Sequence, residues 1–408
     1  MQKILYFLKL TLVAVVVGAF ISLYQYLIHL VVDLSYTLLS GKFIVFIATI
    51  IAAIVVYFII LFINKKNPGY YGSGIPQIEA FYENMIFINS VKMFIIIFIN
   101  SLHAFFCNLL LGSEGTSVSI GTSIGLIKNR IFKENDNYNG IYGGSSAFGC
   151  AFLSPLAGIC HLYEENKKTI DFKKFIIGCY VIILSFLVTY ALYPHKLLPV
   201  FESSYLPLKF YFILIFIVLF GILTGKFFIW LNVKMKYITK KNKSMAYVTP
   251  FLMVLCMILV RFYSVSVGSG IRILSTDLLS GSLIAIILLF IFRLSFTSLS
   301  LSSYSSGGLV LPTLAIGCLV SLIVVKIASL LNSSILEYQY IFVICGMFTT
   351  FAIVTKCPIT GLVLAMQCMS FQVIVLPIIV TILICYLMIL IFKYDNIYHQ
   401  LIHAMGFK

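Results

Sequence analysis

Glu114 stands in Gly112-Ser113-Glu114-Gly115-Thr116-Ser117-Val118-Ser119-Ile120-Gly121. The run before it, Met93 to Leu111, carries no Asp, Glu, Lys or Arg. A carboxylate at such a break can do two kinds of chemistry. It can exchange a proton or compete with an anion inside the membrane, where an ionisable group marks a functional site by default. It can equally be a first-turn Glu that complements the helix dipole and does nothing more. Gly112 and Ser113 favour a helix start, with Ser113 as the expected N-cap. The free N–H groups of the first turn would then face an anion. A second acidic feature is Glu164-Glu165, just before Lys167-Lys168.

Other reactive residue types form no recognisable centre. None of the ten cysteines makes a C-x-x-C pair, so they read as small hydrophobes. Six histidines include no H-E-x-x-H, and the i,i+4 pair His399 and His403 reads as a solvated helix face near the terminus. No metal ligand set, nucleophile elbow or phosphate loop is visible, so neither an enzyme nor a cofactor is expected.

The elements that must hold these residues are membrane helices. Of 408 residues 61% are hydrophobic and 10% charged, where soluble proteins carry about 25% charged. Apolar runs include Ile4–Val32, Phe43–Asn64, Val91–Leu111, Phe175–Tyr193, Phe210–Val233, Met245–Val260 and Phe371–Phe392, enough to span a bilayer. The first is too long for a removed signal peptide. The net charge of +15 sits mostly in short loops, which reads as orientation and not as nucleic-acid binding. Lys65–Lys66, Lys128–Lys133, Lys167–Lys174 and Lys234–Lys243 are expected in the cytoplasm, with both termini, and Tyr193–Leu208 outside.

The two halves echo one another. Gly72-Ser73-Gly74-Ile75 returns as Gly268-Ser269-Gly270-Ile271, 196 residues on. Gly121 returns as Gly317, also 196 on, after Gly307-Gly308-Leu309-Val310-Leu311-Pro312. Pro155-Leu156-Ala157-Gly158 returns as Pro358-Ile359-Thr360-Gly361, 203 on. Two repeats, 1–195 and 196–408, are expected, with no separate soluble domain. Glycine-interrupted segments at matching positions point to a transport site at the repeat interface. Pro76 after Ser73 signals a further helix start there.

These residues resemble the CLC family of chloride channels and chloride/proton exchangers. Gly72-Ser73-Gly74-Ile75-Pro76 is similar to its first anion-binding motif, Gly112-Ser113-Glu114-Gly115-Thr116 to its second (G-[KR]-E-G-P), and Gly307 to Pro312 to its third (G-x-F-x-P). The resemblance covers roughly residues 5–405. It implies an all-α polytopic membrane protein, an inverted repeat of broken and tilted helices, and a homodimer with a pore in each subunit. It implies that Ser73, with Gly74 and Ile75, and the N–H groups of Leu309 and Val310 bind the anion. Tyr398 best matches the family's pore tyrosine, or serves as an interfacial anchor. Glu114 would be the gating glutamate and Glu165 the inner proton-transfer glutamate. Chloride is large and weakly hydrated, so neutral N–H and O–H donors suffice, whereas a lysine would hold it too tightly for release.

Three positions depart from the family pattern. Ser113 replaces a basic residue, Thr116 replaces proline as in the fluoride-exporting branch, and Val310 replaces Phe. An intact G-S-G-I-P and the retained Glu165 favour chloride. The expected function is chloride/proton antiport in the cell membrane, with fluoride/proton antiport or a passive chloride channel as alternatives. The chain's stop at Lys408 leads to an expectation of no cytoplasmic regulatory domain.

Overall fold

The computed structural model describes residues 2–67, 69–134, 136–166, 170–241, 246–275 and 281–407. Lys167, Lys168 and Lys243 of the expected basic loops, and Met245 at the head of one apolar run, lie outside them. In a bilayer every backbone N–H and C=O needs an internal partner, and the helix supplies one along its whole length. Among the described residues the chain accordingly forms helices and short irregular joints, and nine helical segments are long and apolar enough to cross a membrane.

The first half contains α1 (Gln2–Ser40), α2 (Phe43–Lys66), α3 (Ile75–Tyr82), α4 (Ser90–Phe106), α5 (Glu114–Phe132), α6 (Tyr138–Ala151), α7 (Pro155–Asn166) and α8 (Phe172–Leu192). The second repeats that order as α9 (Tyr211–Lys241), α10 (Val248–Tyr263), α11 (Ile271–Ser275), α12 (Leu283–Ser302), α13 (Val310–Ser329), α14 (Gln339–Thr355), α15 (Pro358–Ala365) and α16 (Phe371–Phe392). A last helix, α17 (Ile397–Met405), has no mate. The irregular stretch between α8 and α9 contains the expected repeat boundary.

Two apolar runs need correction. Val91–Leu111 is not one span, because α4 ends at Phe106 and the chain then turns irregularly to reach Glu114. Asn108 there has φ 52°, a left-handed conformation no helix continues through. The first run is longer than Ile4–Val32, since α1 continues through Asp33 to Ser40.

Packing follows the glycines. A Cβ on Gly121 of α5 would stand 2.2 Å from the carbonyl oxygen of Gly143 on α6. Its echo Gly317 on α13 faces Gly346 on α14 at 2.4 Å in the same sense. Small residues let these inner helices meet backbone to backbone, which is how helices associate where lipid removes the hydrophobic drive. α5, α6, α13 and α14 are buried on nearly all sides, while α1, α2, α8 and α16 turn apolar side chains outward.

The halves are joined reciprocally. The N–H of Gly72 donates to Ser305 (3.1 Å), and that of Gly268 donates to Asn108 (2.9 Å). Gly112 and Gly308, themselves 196 residues apart, form an antiparallel bridge with N–H···O distances of 2.8 and 2.5 Å. The two glycine bonds thus mirror each other with acceptors one position out of the 196-residue register, and the bridge pairs a residue with its own echo. Direction follows from four contacts. Lys9 near the start of α1 donates to Glu134 at 2.8 Å. Tyr82 at the end of α3 donates to the carbonyl of Asn137, and Glu83 lies 3.7 Å from His399 of α17. Gly406 packs on Lys240 in the last turn of α9. So α1 begins, and its mate α9 ends, at one face, and the repeats are inverted.

Candidate functional site

Three helix starts converge beside the central bridge. α3 begins at Ile75 with Pro76 in its first turn and Gly74 at its N-cap, in the left-handed region at φ 80°. α5 begins at Glu114 and α13 at Val310, with Leu309 at its N-cap. The bridge between Gly112 and Gly308 sets the last two side by side. First-turn N–H groups have no intrahelical acceptor, and each start carries partial positive charge.

Ser113 does not cap α5 through its side chain, contrary to expectation. It occupies the N-cap position in a right-handed helical conformation (φ −89°, ψ −14°). Side-chain capping needs an extended conformation there, and this one turns the hydroxyl away from the first-turn N–H groups. The Ser113 hydroxyl lies instead 3.5 Å from the amide of Gln25 on α1, which also donates to Ser117 (3.3 Å). Next to it Tyr24 donates to Ser101 (2.7 Å) and meets the Thr116 hydroxyl at 2.8 Å. Thr116, standing where proline was expected, donates back to the Ser113 carbonyl (2.8 Å). One polar patch on α1 therefore holds the first turn of α5, and nothing in the motif spacing pointed to it.

Glu114 is fully buried, and neither carboxylate oxygen makes a hydrogen bond among the described residues. The N–H groups of Glu114 itself and of Leu311 face it without reaching bonding geometry. The carboxylate folds back so far that a Cβ on Gly112 would meet Oε2 at 2.3 Å. Any larger residue at 112 would push the carboxylate out. A buried ionised carboxylate without donors is costly, and protonation or departure removes the cost.

On one side of this plug lies a vestibule of about 220 Å³, whose wall includes Gln25, His29, Asp33, Ser113, Gly268 and Arg272. The second G-S-G-I thus faces the vestibule. Its Gly268 carbonyl accepts from the buried Arg293 guanidinium at 2.7 Å. On the other side is a narrow cavity lined by Glu114, Ile75, Val310, Tyr398 and Glu165, with Val118, Phe148, His161, Phe351 and Cys357. Five of the expected site residues therefore share one wall. Ser73, Gly74 and Leu309 do not line it: the Ser73 Cβ is 3.0 Å from where a Cβ on the lining residue Gly115 would be, and the Ser73 hydroxyl accepts from the Ile75 N–H at 3.4 Å.

The acidic pair divides. Glu164 accepts from the N–H groups of Ile359 and Thr360 (both 2.8 Å) and from the Thr360 hydroxyl (2.7 Å), so it closes the start of α15. Glu165 faces the cavity and accepts from the Cys357 thiol at 3.1 Å. A neighbouring cavity of about 70 Å³ continues from Glu165 to Glu79, one of whose carboxylate oxygens is buried without a partner. Glu79, Cys357 and His161 escaped the sequence reading. His161 was legible in principle, because it lies four residues before Glu165 on one helix face.

The family described as "Voltage gated chloride channel" matches residues 51–389 of this chain. The H(+)/Cl(-) exchange transporter ClcA of Vibrio parahaemolyticus is 26% identical over 371 residues, covering 87% of this chain and 79% of that protein. A slow cyanobacterial Cl⁻/H⁺ antiporter superposes with TM-score 0.83 at 20% identity, covering 97% of this chain and 96% of the other. A CLC-type fluoride/proton antiporter superposes with TM-score 0.76 at 14% identity, covering 96% of each chain.

Proposed function

The chain belongs to the voltage gated chloride channel family, and from that premise we propose that it exchanges chloride for protons through a pore within each subunit, gated by Glu114. The observation that carries this reading is the buried Glu114 carboxylate, which makes no hydrogen bond among the described residues and is set among three helix starts on the wall of the inner cavity. Ionised, it occupies a place where partial positive charge attracts an anion. Chloride entering that place displaces it. Protonated, it loses the attraction, swings out and carries its proton across. Glu165, on the wall of the same cavity, exchanges protons with the opposite side.

The anion is held by neutral donors: the hydroxyl of Ser73, the N–H groups at Gly74 and Ile75, those of Leu309 and Val310, and the phenol of Tyr398. Crystals soaked in bromide are expected to show anomalous density beside Ser73 and the start of α13. Density elsewhere, with none here, would remove these residues from the site.

Fluoride/proton antiport is the second reading, supported by Thr116. Chloride leads because Ser73 stands in an intact G-S-G-I-P and Glu165 lines the cavity. In proteoliposomes a chloride gradient is expected to drive protons uphill and a fluoride gradient to do so more weakly. The reverse ranking would make fluoride the substrate, and chloride flux with no proton movement would make the protein a channel. In the proposed homodimer each subunit holds its own pore. Light scattering in detergent should then give a protein mass near twice the 45.8 kDa of one chain. The repeats are proposed to divide at residues 195/196, and the protein to sit in the cell membrane with both termini cytoplasmic.

A further inference from the structure

Between Glu165 and Glu114 a proton has few places to rest. The cavity they share encloses about 10 Å³, room for about one water, so an extended water chain does not fit. Apart from the two carboxylates its titratable side chains are His161, Cys357 and Tyr398. Thiols and phenols ordinarily ionise near about 8.5 and 10, imidazole near about 6.5. Imidazole alone of the three trades protons with a carboxylic acid near neutral pH.

We propose that His161 is the intermediate proton carrier between Glu165 and Glu114, a role that rests on the antiport reading. His161 lies one turn before Glu165 on α7, on the same face, and lines both the Glu114 cavity and the adjoining cavity that reaches Glu79. Its ring lies flat on Phe148, with centroids 4.4 Å apart and planes at 19°. Nδ1 is 3.3 Å from the Ser145 hydroxyl, the ring's one hydrogen bond among the described residues. With the ring proton on Nδ1 donated to Ser145, Nε2 is left as a free base.

The transfer then balances. The Glu165 carboxylic acid gives its proton to Nε2, leaving a carboxylate beside an imidazolium. Nε2 passes that proton, directly or through the single water, to the Glu114 carboxylate, and the ring returns to its starting form. The carboxyl groups facing His161, Glu114 from α5, Glu79 from α3 and Glu165 from its own helix, favour this brief positive charge when ionised, while Tyr82 from α3, Tyr398 from α17 and Cys357 face it as neutral groups. No Lys or Arg among the described residues lines either cavity.

The test is the reversal potential of purified protein in bilayers under opposed chloride and proton gradients. This potential reports stoichiometry and is independent of how many molecules are active. His161→Phe keeps the stack on Phe148 and removes the base, while His161→Gln keeps a hydrogen bond to Ser145 without taking protons. Both are expected to shift the potential to the chloride equilibrium value, with proton flux falling at least about tenfold relative to chloride flux. Unchanged coupling in either variant would overturn the proposal. Glu165→Gln in the same assay separates the failures. If it uncouples and the His161 variants do not, His161 is no carrier and antiport stands. If wild type itself moves no protons, the antiport reading falls and takes His161 with it.

Discussion

Glu114 is held where it gains least as a plain structural residue. A helix-dipole Glu at the surface adds about 0.3–1 kcal/mol and keeps its carboxylate hydrated. Here both oxygens are buried without a hydrogen bond among the described residues, and the backbone at Gly112 is bare so that they fit. The arrangement makes sense if the side chain's stay is temporary. Glu114→Gln, which resembles the protonated state, and Glu114→Ala, which empties the place, should both give chloride flux that no longer varies with pH and no longer moves protons. Neither should prevent folding, since removing an intramembrane charge lowers the insertion cost by roughly 3 kcal/mol or less. Flux measured in proteoliposomes across pH checks this. Normal pH-dependent, proton-coupled transport in folded Glu114→Gln would mean that the gate lies elsewhere.

At the scale of elements, the parts that were legible in the sequence are those whose cause is local. Gly72, Gly112, Gly268 and Gly308 break helices because of what they are, and their 196-residue echo is visible in one dimension. The long apolar stretch of α16 stands out for the same reason. What stayed hidden depends on which helix meets which: the hold of Tyr24 and Gln25 on α5, and the Cys357 thiol on Glu165, are contacts across 92 and 192 positions of chain. Periodicity gives each helix a buried face but does not name its neighbour. Another such contact ties α1 to the end of α5, where Lys9 and Lys128 both donate to Glu134. Burial alone would raise the Glu134 carboxyl, but hydrogen bonds from Lys128 and Lys9 outweigh it and hold it below the usual carboxylate range. A carboxyl lowered by folding stabilises the fold above its unfolded value, about 4.3, and that contribution is lost as pH falls through the folded value. In detergent, Glu134→Gln should therefore cost about 0.5–1 kcal/mol at pH 7 and match wild type in acid, below the folded value. An equal deficit at both ends of a thermal-denaturation series would show that packing, not charge, joins the two helices.

For the whole molecule, net charge and architecture must agree on which way the protein faces. The start of α1, Glu134 and Asn137, Glu83, α17 and the end of α9 share one face. That face therefore carries both ends of the described chain together with Lys128, Arg130, Lys133, Lys240 and Lys241. The opposite face holds Tyr193, whose ring meets His29, and Gly41, whose carbonyl accepts from Arg261 at 3.0 Å. Basic residues in short loops are retained in the cytoplasm during insertion, so the proposed orientation puts the first face inside. In that orientation the narrow cavity, with Glu165 and Glu79, lies on the inner side of Glu114 and the Ser113 vestibule on the outer side. A green fluorescent protein fused after Phe407 should fluoresce, and alkaline phosphatase at the same place should be inactive. Phosphatase inserted after Val200, between α8 and α9, should be active. The opposite pattern would turn the protein over, put Glu165 on the outer side, and reverse the direction from which protons reach Glu114.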